Sequence, residues 1–439
     1  MAGPFTFTDA SDWGCDMQGR DLSRRSSATR RGFLRNGALA LVGTAAIPAF
    51  LTRSVYAQMD TAAARGKKLV VIFQRGACDG LNVVVPYAEP NYYAMRPTIA
   101  VQQKQVLDLN GFFGLHPAMA SLKPLYDAGH LAVVHATGSP DPTRSHFDAQ
   151  DYMESGTPGM KNTPDGWLNR ALASESESGK PSAFRAVALG TQVPRTLQGR
   201  IPAVSVANLQ DFSVAGRGPQ TSQLSNAFQS MYDQSSDTML HGTGQETFEA
   251  VRMLKAANLT NYRPAAGAIY PNTPFGNSLR QIAQMLKANL GVEAAFADMG
   301  GWDTHRDQGG ANGQLANRLR EFSDAIAAFW RDLGDGAEQV TVVTMSEFGR
   351  TAHQNGTGGT DHGHANVMLV LGGPVKGGKV YGRWPGLATE QLNEGRDLVV
   401  TTDFRNVLGE AVYRNLGATR LEEVFPGARL SHANFLNFA

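Results

Sequence analysis

Five short stretches of this chain gather side chains that could hold a metal ion, move a proton or attack an ester. They are Arg75-Gly-Ala-Cys-Asp79-Gly-Leu-Asn82, Thr143-Arg144-Ser145-His146-Phe-Asp148, Gly300-Gly-Trp-Asp303-Thr-His305, Ser346-Glu347-Phe348-Gly349-Arg350 and Asp361-His362-Gly363-His364. Carboxylates and imidazoles are the oxygen and nitrogen donors that divalent metals prefer. On that chemistry Asp79, Asp303, His305, Glu347, Asp361, His362 and His364 are the candidate ligands. Ser145 beside Arg144 and His146 is the pattern an attacking alkoxide with an anion clamp requires, because a free serine is a poor nucleophile until a base or metal activates it. Arg350 is a second candidate clamp. Each stretch also has a plainer reading: an Asx-turn at Asp79-Gly80, a helix N-cap at Ser145, a Trp–Asp–His structural network at 302–305. What favours chemistry is that several of them follow a strand.

Buried strands must place these residues on one edge. Leu69-Val-Val-Ile-Phe73 and Val340-Thr-Val-Val-Thr344 are short apolar runs rich in branched residues, the composition of strands covered on both faces. Leu131–His135, Phe184–Leu189, Pro202–Val206, Val292–Ala297 and Val367–Leu371 read the same way. Between them lie helical patterns: one opened by His116-Pro117 and running to Tyr126, an amphipathic one over Asn277–Asn289, Leu315–Leu333, and a last one capped by Thr402 or Asp403 ahead of Phe404–Leu416. Alternating strands and helices predict an α/β fold, a doubly wound, mostly parallel sheet with helices on both faces, whose ligands bind beyond the carboxyl ends of the strands. Residues 207–240, rich in Ser, Gln and Gly, read as an insertion.

Thr29-Arg30-Arg31-Gly-Phe-Leu-Arg35, the apolar run from Gly37 to Leu51 and the small-residue site Val55-Tyr56-Ala57 predict a twin-arginine export signal over residues 1–57. The mature part, 58–439, is then a single domain, periplasmic or secreted, whose export partner is the twin-arginine machinery. No later segment has the roughly 18 uninterrupted apolar residues of a membrane span. Removing 1–57 takes seven Lys+Arg and four Asp+Glu from the 40 and 39, leaving a formal net charge of −2. That excludes a basic footprint for nucleic acid. Cys15 leaves with the signal, so Cys78 has no partner for an internal disulfide.

Taken together, Arg75-Gly-Ala-Cys-Asp-Gly, Arg144-Ser-His-Phe-Asp-Ala-Gln-Asp-Tyr152, Gly301-Trp-Asp-Thr-His305, Ser346-Glu-Phe-Gly-Arg-Thr351 and Asp361-His-Gly-His364 resemble the exported family known as domain of unknown function 1501. That family is similar in turn to the alkaline phosphatase and sulfatase superfamily, α/β enzymes that hydrolyse phosphate or sulfate esters with metals and a Ser, Thr or formylglycine nucleophile. The resemblance implies an alkaline-phosphatase-like fold, a divalent metal (zinc, manganese or calcium) and a small-molecule or glycan ester as substrate. By it, Asp79 matches the first metal-binding Asp, Asp303 and His305 a shared ligand pair, His362 or His364 the late His, and Ser145 the nucleophile. Ser346-Glu347-Phe348-Gly349 departs from the superfamily's Ser-Asp-His-Gly, and a phenylalanine cannot bind metal. The sulfatase signature Cys-x-Pro-Ser-Arg is missing too. The rival expectation is therefore an inactive superfamily fold serving as an exported carbohydrate-binding or assembly protein.

Overall fold

The computed structural model of the chain describes residues 66–174, 182–209, 253, 261–430 and 437–438, all within one compact unit. The expected export signal and nearly all of the expected insertion lie outside these residues. Nine strands form the main sheet: β1 (Lys68–Gln74), β2 (Leu131–Gly138), β3 (Ala186–Leu189), β4 (Val204–Val206), β5 (Ala294–Met299), β6 (Val340–Met345), β7 (Asn366–Gly372), β8 (Lys379–Tyr381) and β9 (Thr402–Asp403). Their spatial order is β8-β2-β7-β6-β1-β5-β3-β4, with β9 also on β2. Every pairing is parallel except the two made by β7. A small antiparallel sheet of 84–85, 107–108 and 114–115 stands apart.

Side chains alternate across β1, and each set meets its own helices. Val70 and Ile72 join the cluster containing Phe275, Leu279 and Ile282 of α3 (Pro274–Lys287) and Leu315, Leu319 and Phe322 of α4 (Gln314–Leu333). Leu69, Val71 and Phe73 face the opposite cluster, with Trp167 and Leu168 of α2 (Trp167–Ala173) and Phe404, Val407 and Leu408 of α5 (Phe404–Leu416). The remaining long helix, α1 (His146–Ser155), is separated from the end of β2 by the seven residues of an irregular loop. The architecture is thus the expected sheet covered by helices on both faces.

Helix ends follow local chemistry. Asp403 caps α5 by accepting from Arg405 N. The α3 helix begins three residues before the expected Asn277, because Thr273 caps it by accepting from Gly276 N and Pro274 at the first helical position has no N–H to leave unpaired. The single helix expected from His116 to Tyr126 is instead a 3₁₀ turn, Pro117–Met119, followed by a short helix, Lys123–Asp127. Pro124 lacks the N–H a continuous helix would need there.

Register delivers the functional residues. Phe73 pairs with Met345 and Gln74 with Met299, so β1, β5 and β6 end in line. Antiparallel β7 starts at that same edge, Asn366 opposite Thr137 near the end of β2. The loops after β1, β2 and β5 and both ends of the β6–β7 loop therefore share one rim. Trp302, on the β5 loop, is anchored by its indole N–H to Met299 O at 2.8 Å and packs edge-on against Phe322 of α4, centroids 5.6 Å apart. Phe322→Ala is expected to destabilise the fold by about 3–5 kcal/mol, read as a lower denaturant midpoint with an unchanged slope.

Candidate metal centre

Three imidazoles converge at this rim. His146 Nε2 and His305 Nε2 each lie 3.0 Å from His362 Nε2. Asp303 completes the group: its Oδ1 is 2.9 Å from His305 Nε2 and 3.4 Å from His362 Nε2, and its Oδ2 is 3.6 Å from His146 Nε2. His146, Asp303 and His362 offer donor atoms all within 4.8 Å of one another. Ligands around a tetrahedral ion with metal–nitrogen distances of about 2.0–2.1 Å are separated by about 3.3 Å, so the spacing suits one cation.

The far nitrogen of each ring is held by an oxygen. His146 Nδ1 lies 2.8 Å from Glu347 Oε1, His305 Nδ1 3.0 Å from Asp361 Oδ1, and His362 Nδ1 2.9 Å from the Arg144 carbonyl. Such oxygens only accept, so each Nδ1 carries a hydrogen and the neutral ring turns the lone pair of Nε2 inward. Arg350 offsets part of the repulsion within this group, donating to Asp303 and reaching His305 Nε2 at 3.5 Å, but the Nε2 lone pairs of His146 and His362 still face each other at 3.0 Å. The charges in direct contact are the carboxylates Asp303, Glu347 and Asp361 against the one guanidinium of Arg350, an excess of two negative charges. A divalent ion would neutralise it.

Local structure fixes each member. His146 opens α1, and Gln150 one turn later donates to the same Glu347 oxygen at 2.9 Å. Glu347 is fully buried; Gly76 N donates to its Oε1 at 2.8 Å and Ser346 Oγ to its Oε2 at 3.1 Å. Burial pushes its carboxyl up, but hydrogen bonds from His146, backbone N–H groups and Gln150 outweigh it and hold the group below the ordinary range. Gly76 has φ +118°, and a Cβ there would lie 2.9 Å from Asp303 N, so only glycine lets the β1 and β5 loops touch. At Gly349 a Cβ would stand 1.9 Å from the Ala365 carbonyl, which is how the two ends of the β6–β7 loop lie backbone to backbone.

The expected residues divide into those the structure gathers and those it places elsewhere. Asp303, His305 and His362 meet as donors, and His146 joins them as a donor where Ser145's helper was expected. Glu347 and Asp361, expected as ligands, instead stand behind His146 and His305 as hydrogen-bond acceptors. Asp79 is remote in function: fully buried, it receives Arg96 Nη1 at 2.6 Å and Nη2 at 2.9 Å, with Gln308 Nε2 at 2.6 Å. Its charge is already neutralised. His364 turns away, its Nε2 2.9 Å from the Ser139 carbonyl.

Neither arginine is a free clamp. Arg144 is bound to Asp397 and Glu394, and buried Arg350 donates to the Ala77, Gly76, Trp302 and Thr360 carbonyls and to Asp303. Ser145 is exposed and caps α1, its Oγ accepting from Asp148 N at 3.5 Å. Phe348 is buried, with its ring 5.0 Å from those of both His146 and His362. It forms an apolar wall beside the two imidazoles. Sequence reasoning missed Arg96, Gln308 and Gln150; the i, i+4 spacing of His146 and Gln150 is the one signal that could have revealed a shared partner.

The chain belongs to the family described as Protein of unknown function (DUF1501), matched over residues 66–424. None of the curated proteins matches it. Among solved structures it is similar to the C-terminal periplasmic domain of EcEptC from Escherichia coli in complex with Zn, at 9% identity over 74% of this chain and 77% of that one, TM-score 0.33. The PsFucS1 sulfatase from Pseudoalteromonas sp. shares 13% identity over 86% and 73%, TM-score 0.38. A variant of the alkaline phosphatase PafA shares 10% over 65% and 64%, TM-score 0.31.

Two tests follow from this geometry. Arg96→Met leaves the buried Asp79 carboxylate unpaired and is expected to destabilise the protein by about 3–5 kcal/mol, measured by urea unfolding. The hydrogen bond to Glu347 raises the His146 pKa above its usual 6.5, against the effect of burial. In the metal-free protein the His146 charge thus adds stability that is complete below the ordinary His pKa and fades as pH rises through the raised one. Glu347→Gln should lower the His146 pKa, followed by NMR titration of the ring protons, and an unmoved midpoint would remove Glu347 from this role.

Proposed function

We propose that this chain is an exported, metal-dependent hydrolase of phosphate or sulfate esters, periplasmic or secreted, acting on small-molecule or glycan esters. The observation that carries the proposal is the inward convergence of three Nε2 atoms and the Asp303 carboxylate at the carboxyl edge of the sheet, where open α/β folds bind ligands. His146, Asp303 and His362 would hold the ion, with His305 alongside. A divalent ion such as zinc, manganese or calcium supplies Lewis-acid polarisation of an ester oxygen when bound there. Glu347 and Asp361 keep two of the rings oriented. Ser145 offers its exposed hydroxyl as nucleophile at the start of α1, and the N-terminus of that ten-residue helix favours the anionic ester group. The twin-arginine pattern at Thr29–Arg35 supports export, and among the described residues no helix is long and apolar enough to cross a membrane.

One observation favours a second reading. Arg144 and Arg350, the two expected anion clamps, are both committed to internal partners, which is what an inactive fold serving as a carbohydrate-binding or assembly protein would show. Metal analysis and an ester panel separate the two. The hydrolase reading expects about one equivalent of metal in the mature protein, lost in His362→Ala, together with hydrolysis of at least one phosphate or sulfate ester. Ser145→Ala should keep the metal and fall to the uncatalysed rate. Full hydrolysis by that variant would remove Ser145 from the chemistry, and a stable, metal-free wild-type protein would favour the binding protein.

A further inference from the structure

Of the three inward-facing rings, His362 alone has its tautomer fixed by a backbone group. The Arg144 carbonyl that accepts from His362 Nδ1 lies in the irregular 139–145 loop between β2 and α1, where no ladder or helix holds it. A carbonyl on an untethered loop would swing, and the ring would lose its orientation.

The tether is the arginine's own side chain. Arg144 Nε and Nη2 lie 3.1 and 2.5 Å from one oxygen of Asp397, and Nη2 also reaches Glu394 Oε2 at 2.8 Å. Asp397 is fully buried, whereas the Glu394 side chain is 62% exposed, so the Asp397 contact is the less screened of the two. The other Asp397 oxygen is buried without a hydrogen-bond partner; its nearest cation is Arg396 Nε at 3.8 Å. A buried carboxylate so incompletely satisfied is unfavourable for stability alone. The same 393–397 segment holds the other end of the contact, because Arg396 Nη2 donates to the His362 carbonyl at 2.9 Å. It is itself anchored to the β6 loop, with Ala352 N donating to Arg396 O at 3.0 Å and Thr351 bridged to Asp397. One strap therefore grips both partners of the His362 Nδ1–H···O=C bond.

We infer that Asp397 is a positioning residue for the metal centre, acting through the Arg144 side chain to hold the Arg144 carbonyl against His362 and so fix the Nδ1–H tautomer that bares Nε2. The consequence for metal affinity rests on the function proposed above; the consequence for the tautomer does not. It also gives Arg144 a role other than anion binding.

The test uses the whole mature protein, labelled with ¹⁵N-histidine, in Asp397→Asn and, in case that variant does not fold, Arg144→Gln, which removes the tether from its other end. In two-bond ¹H–¹⁵N spectra of the metal-free protein, His362 is expected to lose its single Nδ1–H form and become a tautomer mixture, while His305, held by Asp361, keeps its own. Calorimetric titration with Zn²⁺ is expected to show affinity weakened about 10- to 100-fold. A purely structural role would move the unfolding midpoint and leave the His362 signals as they are. If either folded variant keeps the His362 Nδ1–H form and binds Zn²⁺ within twofold of wild type, the inference is overturned. If His362 changes tautomer but wild-type protein binds no Zn²⁺, the positioning stands and the metal reading fails.

Discussion

Arg350 is the side chain on which the rim depends. It is buried on the loop after β6, yet it donates to the Gly76 and Ala77 carbonyls after β1, the Trp302 carbonyl after β5 and the Thr360 carbonyl before β7. The Trp302 carbonyl also accepts from Thr304 N, but a buried carbonyl left without any donor is unfavourable by about 1–3 kcal/mol. A planar guanidinium with five donors satisfies several loops at once, which the compact ammonium of lysine cannot do. Beyond these carbonyls Arg350 reaches His305 Nε2 at 3.5 Å and Asp303, and the latter contact sets the carboxylate that meets the histidines: burial raises the Asp303 pKa, but the Arg350 hydrogen bond and charge bring it below the ordinary range. The β1 loop, the β5 loop and the far part of its own β6–β7 loop are gathered by one guanidinium.

Around that anchor the three histidines differ in what stands behind them. Glu347 is buried and multiply hydrogen-bonded, Asp361 is half exposed and shared with Asn355, and the Arg144 carbonyl bears no charge at all. The buried carboxylate pulls the His146 pKa up, whereas burial dominates at His362 and takes its pKa down. A cation that binds at these nitrogens must displace any proton held on them. Phe348 then closes one side with an aromatic wall, which limits where a further ligand could stand.

Much of this was legible in the sequence because it depends on local composition. Branched apolar runs identified the strands, and Asp403, with its helix-capping side chain, marked the start of α5. The five motifs all reached the expected rim, since parallel strands in register must end together. What the sequence pattern could not convey was the division of labour among like residues. Asp79 and Asp303 look equivalent beside their glycines, and only the folded chain brings Arg96 from 17 positions away to neutralise the first. Glu347 and Asp361 are ligand-type side chains whose partners turned out to be histidine Nδ1 atoms. His146 was visible, but its direction is set by the turn of α1, which local spacing does not reveal.

Among the described residues β7 is the one strand of the main sheet that runs antiparallel to its neighbours, which explains why the last motif precedes its strand while the others follow theirs. A parallel β7 would begin at the opposite edge of the sheet, carrying Asp361–His364 away from Asp303. Reversing its direction puts the start of β7 beside the ends of β2 and β6, and the Gly349 and Gly363 backbones can then zip together, Gly363 N donating to Gly349 O at 2.8 Å. That contact places His362 one residue from a glycine that admits no side chain, because a Cβ at Gly363 would lie 2.3 Å from the Arg350 carbonyl carbon. The histidine at the centre of the cluster and the arginine that organises the rim are thus fixed against each other through backbone alone, so neither can shift without moving the other.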